Sequence, residues 1–449
     1  MGKIKPRTLS GFMELLPSRQ VYFDAMVRRL EDSFSLYGYT PLDTPLMEAA
    51  EILLAKGGGE TEKQIYCLRK GDTDLAIRYE LTASLAKFTA MNYGNLNFPF
   101  RRYEIGKVYR GERAQRGRYR EFYQADIDII GDGALDILNE AEIPSIIYRS
   151  LSSLGLKKFT IHINNRKVLN GFFEIIGINR AATEIMRTVD KCDKIGIEKM
   201  NEMLCELGIS ETQTEELRNL VTNKAAPLEF LGKYKGKNET FDQGMDELSA
   251  IADNMAGFGV PETHFKIDLS ICRGLDYYTG TVYETFLTDY PEVGSICSGG
   301  RYDNLAEYYT DKKLPGVGIS IGLTRLFSIL QEQDLLNPDV LTSPADVLII
   351  PMTDELTHAV SLATSMREAG LRTQIYCENK KFKQKVAYAD KQNIPFTVFL
   401  GEDEINNNMI TVKDMKSGEQ TTASANLLTA GIRDKIKAMR DVAPIREKG

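Results

Sequence analysis

Apolar and polar positions recur along this chain in more than one rhythm, and the changes of rhythm divide it. In residues 18–37, Val21, Met26, Leu30 and Phe34 fall near helical spacing, which predicts an amphipathic helix. "YGYTPLDTPLMEAAEIL" follows, where Pro41 and Pro45 fix an extended path. From 75 to 130 the pattern predicts strands broken by a helix around 83–92. Residues 166–258 change character. "NGFFEIIGINRAATEIMRTVDKCDKIGIEKMNEMLCELGI" and "DQGMDELSAIADNMAGFG" are helical in pattern, with Gly or Asn near their ends. Strand composition returns at 265. After "LQEQDLLNPDVLTSP" a fresh alternation begins: strands at "ADVLIIPM", "RTQIYC" and "FTVFLG", helices at "DELTHAVSLATSMREAG" and "KFKQKVAYADKQN". A hairpin turning near Ser417-Gly418 and a last helix, "ANLLTAGIRDKIKAM", complete it. Strands alternating with helices predict a separate α/β domain from about 344.

Several predicted strands are polar where a core strand would be apolar. In "REFYQADIDIIG", a period of two turns Tyr123, Ala125, Ile127 and Ile129 one way and Phe122, Gln124, Asp126 and Asp128 the other. The second set is either a solvated sheet face or a ligand surface. Just before it, "VYRGERAQRGRYRE" holds Arg110, Arg113, Arg116, Arg118 and Arg120 around a predicted loop. Guanidinium matches phosphate oxygens bidentately, so this is either a phosphate site or a solvated basic loop. "AIRYELTAS" adds Glu80 and Thr82 ahead of a helix, where Thr is also a common cap. "SICRGLDYYTGTVYE" reads as strand yet carries Arg273, Tyr277 and Tyr278. In "CSGGRYDNL", Gly299 and Gly300 either admit a ligand close to the backbone or make a turn, and Arg301 and Asp303 form an ion pair or bind. "GVGISIGLTRLFSIL" places Arg325 on a helix among apolar neighbours. A buried arginine needs a partner, either a structural carboxylate or a ligand phosphate.

Composition narrows the class. The 449 residues suggest two to four domains, and 43% apolar with 27% charged residues is the make-up of a folded soluble protein. The net charge of −7 is not the global signature of a nucleic-acid binder. Local basic patches still act, because screening sets in over a Debye length of ~8 Å. No stretch approaches the ~20 consecutive apolar residues of a membrane span, and the first residues lack a signal-peptide run, so a cytoplasmic protein is expected. Six scattered cysteines with no CxxC pair argue against a zinc knuckle and a disulfide framework.

These motifs together resemble the histidyl-tRNA synthetases of class II over essentially the whole chain. "YGYTPLDTPLME" resembles class II motif 1, with Pro45 at its fixed proline. "YRGERAQRGRYREFYQADIDIIG" resembles motif 2 and "GVGISIGLTRL" motif 3. "RGLDYYTGTVYE" and "CSGGRYDNL" resemble the two histidine-specific signatures, and the tail resembles the family's anticodon-binding domain.

The resemblance implies an α+β antiparallel-sheet catalytic domain in two parts, 1–165 and 259–330, around a helical insertion at 166–258. A linker, 331–343, and an α/β anticodon-binding domain, 344–449, would follow. It implies a homodimer and two reactions. Histidine and ATP, with Mg²⁺, give histidyl-adenylate and pyrophosphate; the histidyl group then passes to the 3′-terminal adenosine of tRNA(His).

Carried over by motif position, Arg113 and Arg273 hold the α-phosphate from opposite sides and Arg325 the γ-phosphate. Glu112 and Gly322 complete the ATP site. Glu80, Thr82 and Gln124 orient the amino group and main chain of histidine. Asp128 and Tyr278 read the imidazole, with Tyr277 and Gly299 lining the pocket. The metal ligands are not implied. "RYELT" departs from relatives with "RPEGT", and Thr324 stands where some members carry Glu, which leaves nearby adenine or magnesium contacts open. Two other readings remain: a regulatory subunit of ATP phosphoribosyltransferase, which lacks such a tail, and a class II synthetase for another amino acid, which the histidine signatures oppose.

Overall fold

A computed structural model describes residues 3–55, 62–113, 117–178, 182–189, 191–223, 225–271 and 278–446. Arg273, Tyr277 and Arg116 therefore lie outside the described residues. The chain divides into two compact units. One takes residues 3–14 and Val27–Leu335, the other Leu15–Met26 and Leu336–Arg446.

The first unit is organised by an eight-stranded sheet. Its spatial order is Thr40–Pro41, Phe100–Tyr109, Glu121–Ile130, Gly316–Ile321, Cys297–Tyr302, Thr281–Leu287, Phe159–Asn165, Phe265–Ile267. The six central strands pair antiparallel, and only the two edge strands pair parallel. Alternation sorts the faces. On one, the register aligns Ile127, Ile319, Gly299, Tyr283 and Ile163 across the sheet. The four side chains among them are buried, and the helix Ile137–Leu154 packs against this part of the sheet. The Tyr283 hydroxyl donates to the Glu140 carbonyl on that helix at 2.7 Å.

On the other face a polar row runs through Glu104, Asp126, Ser320, Ser298, Glu284 and His162. Beside it lies Arg102, Asp128, Gly318, Gly300, Val282 and Asn164. A small second sheet pairs Met47–Ala49, Thr73–Ile77 and Tyr66–Lys70. Between Arg166 and Asn254 every described element is helical, and the helix Glu239–Asn254 packs on both Arg166–Ile175 and Ile137–Leu154.

The second unit has a five-stranded sheet ordered Thr373–Ile375, Val347–Pro351, Phe396–Leu400, Met409–Asp414, Gln420–Ser424. Its first three strands are parallel. Both faces of Val347–Pro351 are covered, which explains its unbroken apolar run. Val347 and Ile349 join Ala363, Met366, Ile432 and Ile436 in one core, and Leu348 and Ile350 join Ala389 and Ile394 in another. Buried Asp346 accepts from Arg372 at 2.7 Å and Arg440 at 2.5 Å.

Two details differ from the sequence reading. Tyr278 precedes rather than occupies a strand, which begins at Thr281. The short helix Glu402–Asn406 was not expected; the Glu404 carboxylate accepts the Gly401 N–H at 3.0 Å and so caps its own helix. Among the described residues no helix is long and apolar enough to cross a membrane.

Candidate active site

The polar face owes its character to a strand pair. Phe100–Tyr109 and Glu121–Ile130 lie in a register that sets Arg102 against Asp128, Glu104 against Asp126 and Gly106 against Gln124. Arg102 is fully buried and meets Asp128 Oδ2 at 2.7 Å and Glu104 Oε2 at 3.7 Å. Arg78 meets the other Glu104 oxygen at 2.8 Å, where Thr44 also donates its hydroxyl at 2.8 Å. Buried charges persist only when paired in this way. Neither Arg102 nor Glu104 stood out in the sequence. Their signal was present in "RRYEIG", where the polar residues keep the same parity as the aspartates they face.

Asp128 is held from both sides. The Tyr302 hydroxyl donates to its Oδ1 at 2.6 Å, opposite the Arg102 contact at Oδ2. Burial raises its pKa against the pull of Arg102 and Tyr302. Each carboxylate oxygen still keeps a second lone pair for a ligand. The approach is possible because residue 318 is glycine: a Cβ there would fall on the Asp128 carboxylate. Tyr278 lies over Gly300, where a Cβ would meet its ring at 3.0 Å. Burial and the charges of Asp128 and Asp126 raise the Tyr278 pKa, so its hydroxyl stays protonated. Gly299 sits on the opposite, apolar face by register, so Gly300 is the glycine beneath the tyrosine.

Gln124 and Asp126 continue the face. Gln124 Nε2 lies 2.5 Å from Ser320 Oγ, while its Oε1 is buried without a hydrogen-bond partner among the described residues. Asp126 is 2% exposed, and its Oδ1 also lacks a partner there. Burial raises its pKa well above the usual carboxylate range, Arg102 opposing and Asp128 adding. Glu80 accepts the N–H groups of Thr82 at 2.7 Å and Ala83 at 2.6 Å, so it caps the helix Thr82–Asn92. Burial raises its pKa despite those bonds.

The arginines divide by role. Arg110 donates to the Tyr79 carbonyl at 3.1 Å and lies over the Phe122 ring. Arg120 donates to the Glu112 carbonyl at 3.0 Å, and Arg118 pairs with the Glu112 carboxylate at 3.4 Å. Arg113 is exposed on the connection between the two strands, with no ion pair among the described residues. Arg325 stands on the helix Leu323–Glu332, which Gly322 precedes. Its guanidinium donates to the carbonyls of Val293 and Ser295 and pairs with no carboxylate among the described residues. Burial and the nearby Arg118 charge lower its pKa, outweighing the opposing pull of Glu112 and Glu284. Thr324 is occupied structurally, accepting the Tyr123 N–H at 2.8 Å. Arg301 is also structural. It pairs with Asp303 at 2.9 Å and, on the covered side of the sheet, with buried Glu140 at 2.5 Å.

His162 pairs with Asp268 at 2.9 Å, His264 contacts the Lys157 carbonyl at 3.0 Å, and His358 is exposed. In the second unit, Lys380, Lys381 and Lys383 are exposed, whereas Lys385 donates to the Pro351 carbonyl at 3.2 Å. Lys383 and Lys413 line a cavity of about 810 Å³ with Phe382, Phe399, Glu404 and Gln420.

An antiparallel sheet with a buried, ligand-ready polar face, in a chain that also carries a mixed α/β module, defines a class II aminoacyl-tRNA synthetase. Residues 11–326 match the family model for histidyl-tRNA synthetase, and residues 346–435 match that for an anticodon binding domain. The chain belongs to the histidyl-tRNA synthetase family. It is 49% identical to a histidine–tRNA ligase of Clostridium tetani, over 94% of this chain and 96% of that one. It is 43% identical to one from Finegoldia magna, over 94% and 98%. The crystal structure of a histidyl-tRNA synthetase from Nostoc sp. PCC 7120 aligns with TM-score 0.89 at 37% identity, covering 96% of this chain and all of that one. The activity that follows is the ATP-dependent ligation of histidine to tRNA(His).

Proposed function

We propose that the polar face of the eight-stranded sheet is where histidine is activated, with the residue roles implied by the motifs. Asp128 and Tyr278 take the two ring nitrogens, with Tyr277 and the Gly299-Gly300 backbone as pocket wall. Glu80, Thr82 and Gln124 orient the amino group and main chain. Arg325 takes the γ-phosphate, Arg113 and Arg273 flank the α-phosphate, and Glu112 and Gly322 border the nucleotide. The histidine carboxylate is already ionised, so its attack on the α-phosphate needs no general base. What the step needs is fixed positive charge where the phosphate oxygens gain negative charge. The adenylate then passes its histidyl group to the terminal adenosine.

One observation carries this reading. Among the described residues the same unit holds buried acceptors without donors, at Gln124 and Asp126, and a guanidinium without a paired carboxylate, at Arg325. The first set suits the ammonium group of an amino acid and the second a polyphosphate. Among the described residues no group of three His, Cys, Asp or Glu side chains could hold a metal. Mg²⁺ would sit on phosphate oxygens of ATP and neutralise their charge, and no residue role above depends on it. The second unit binds the anticodon through its lysine-lined cavity, and the protein works as a cytoplasmic homodimer. ATP–pyrophosphate exchange with each of the twenty amino acids tests the central reading: exchange should depend on histidine alone. Exchange with another amino acid, or none, would reject it.

A further inference from the structure

Ser320 fixes the polarity of the neighbouring hydrogen bonds. It faces Asp126 across the sheet, close enough for its hydroxyl to pull the Asp126 pKa down against burial, and its oxygen lies 2.5 Å from Gln124 Nε2. The Ser320 oxygen accepts the Gln124 N–H, which leaves its one proton for the Asp126 carboxylate. This leaves Gln124 Oε1 and Asp126 Oδ1 as buried acceptors with no partner among the described residues.

The neighbouring carboxylates are already engaged. Arg78 pairs with Glu104 at 2.8 Å and Arg102 with Asp128 at 2.7 Å, while Glu80 caps a helix. Asp126 and Glu80 are the buried carboxylates of this face with no ion pair among the described residues; Glu80 spends both oxygens on helix N–H groups, and the guanidinium nearest Asp126, Arg102, is committed to Asp128. The complement is one positive charge carrying several N–H donors, which describes a primary ammonium group.

We propose that Asp126 is a substrate-binding residue, its free oxygen and Gln124 Oε1 together seating the α-ammonium of histidine, with Ser320 as the positioning residue. This rests on the histidine-activating reading above. It adds a second carboxylate, beside Glu80, to the residues assigned to the amino group, and makes that group, as well as the imidazole, an anchor of specificity.

Calorimetric titration of the full-length protein tests it, using histidinol and its deaminated analogue imidazolylpropanol. The wild-type protein should prefer histidinol. Asp126→Asn should weaken histidinol by about 10- to 100-fold, the range for one charge-assisted hydrogen bond, and leave imidazolylpropanol unchanged. Ser320→Ala, which adds no volume and keeps the carboxylate, should narrow the same preference by a smaller factor. Equal weakening of both ligands in the folded variants, or no weakening of either, would overturn the assignment. Failure of the wild-type protein to prefer histidinol over leucinol would instead reject the histidine site itself.

Discussion

Asp126→Asn should stabilise the ligand-free protein at neutral pH while it weakens ligand binding. The wild-type carboxylate is 2% exposed, has one oxygen without a partner among the described residues, and sits near Asp128 and Glu80. Its folded pKa is raised above the ordinary 3.8, chiefly by burial. In the window between 3.8 and that raised value the folded state holds a proton the unfolded state has released. Stability is therefore greatest below 3.8 and falls as pH rises through the folded value. Asparagine is nearly the shape of the protonated acid and never ionises. The variant should match wild type at acidic pH and gain on it as pH rises, levelling off at about 1–3 kcal/mol, the cost of one unsatisfied buried polar group. The chain has no tryptophan, so hydrogen exchange of the peptide covering 121–130 is the direct readout, followed from pH 5 to 8 after correction for intrinsic rates. A gap that stays constant with pH, or a variant less protected than wild type at pH 8, would refute the charge argument. Added histidine should reverse the order, since only wild type recovers the ammonium contact.

Arg325→Ala should raise the KM for ATP by about 10- to 100-fold, as loss of a charge-assisted contact does, with the KM for histidine little changed in pyrophosphate exchange. Arg273→Ala should slow adenylation by about 10²–10³-fold and transfer from preformed adenylate much less; single-turnover measurement of the two half-reactions separates them, and a larger loss in transfer would reject the role. Asp128→Ala should abolish most histidine-dependent exchange and, by leaving buried Arg102 with only its longer contact to Glu104, cost up to about 3–5 kcal/mol of stability, measured by urea unfolding. Replacing Lys383 and Lys413 together with Ala should raise the KM for tRNA and flatten its salt dependence by about two in log–log slope, with exchange unaffected.

Much of the sheet was legible because alternation reports faces directly. The pattern of "YQADIDIIG" separates Gln124, Asp126 and Asp128 from Ala125, Ile127 and Ile129, and the structure keeps that separation. What alternation does not carry is the identity of the neighbour. Arg102 became meaningful only when the register set it against Asp128, and Ser320 only when it faced Asp126. The two glycines of "CSGGRYD" looked equivalent in sequence, but adjacent strand residues point to opposite faces, so only Gly300 lies under Tyr278. Arg301 could be read either way until Glu140, far away in the chain, supplied its partner. Composition within the arginine run was likewise uninformative, since Arg110 and Arg120 spend their donors on nearby carbonyls.

The polar row from Glu104 to His162 spans six strands drawn from residues 104 to 320, yet its members share a single parity. That makes the pocket behave like a printed line of type. A letter of the right parity can be exchanged while its apolar neighbours, on the other side of the sheet, go on holding the fold. A one-residue slip in any strand would instead turn that strand's line to the wall. Such a surface can acquire a new preference by single substitutions, and cannot acquire one by insertion within a strand. Length changes in this chain should therefore accumulate in the connections, and changes of substrate preference at even-numbered positions of Glu121–Ile130 and Gly316–Ile321.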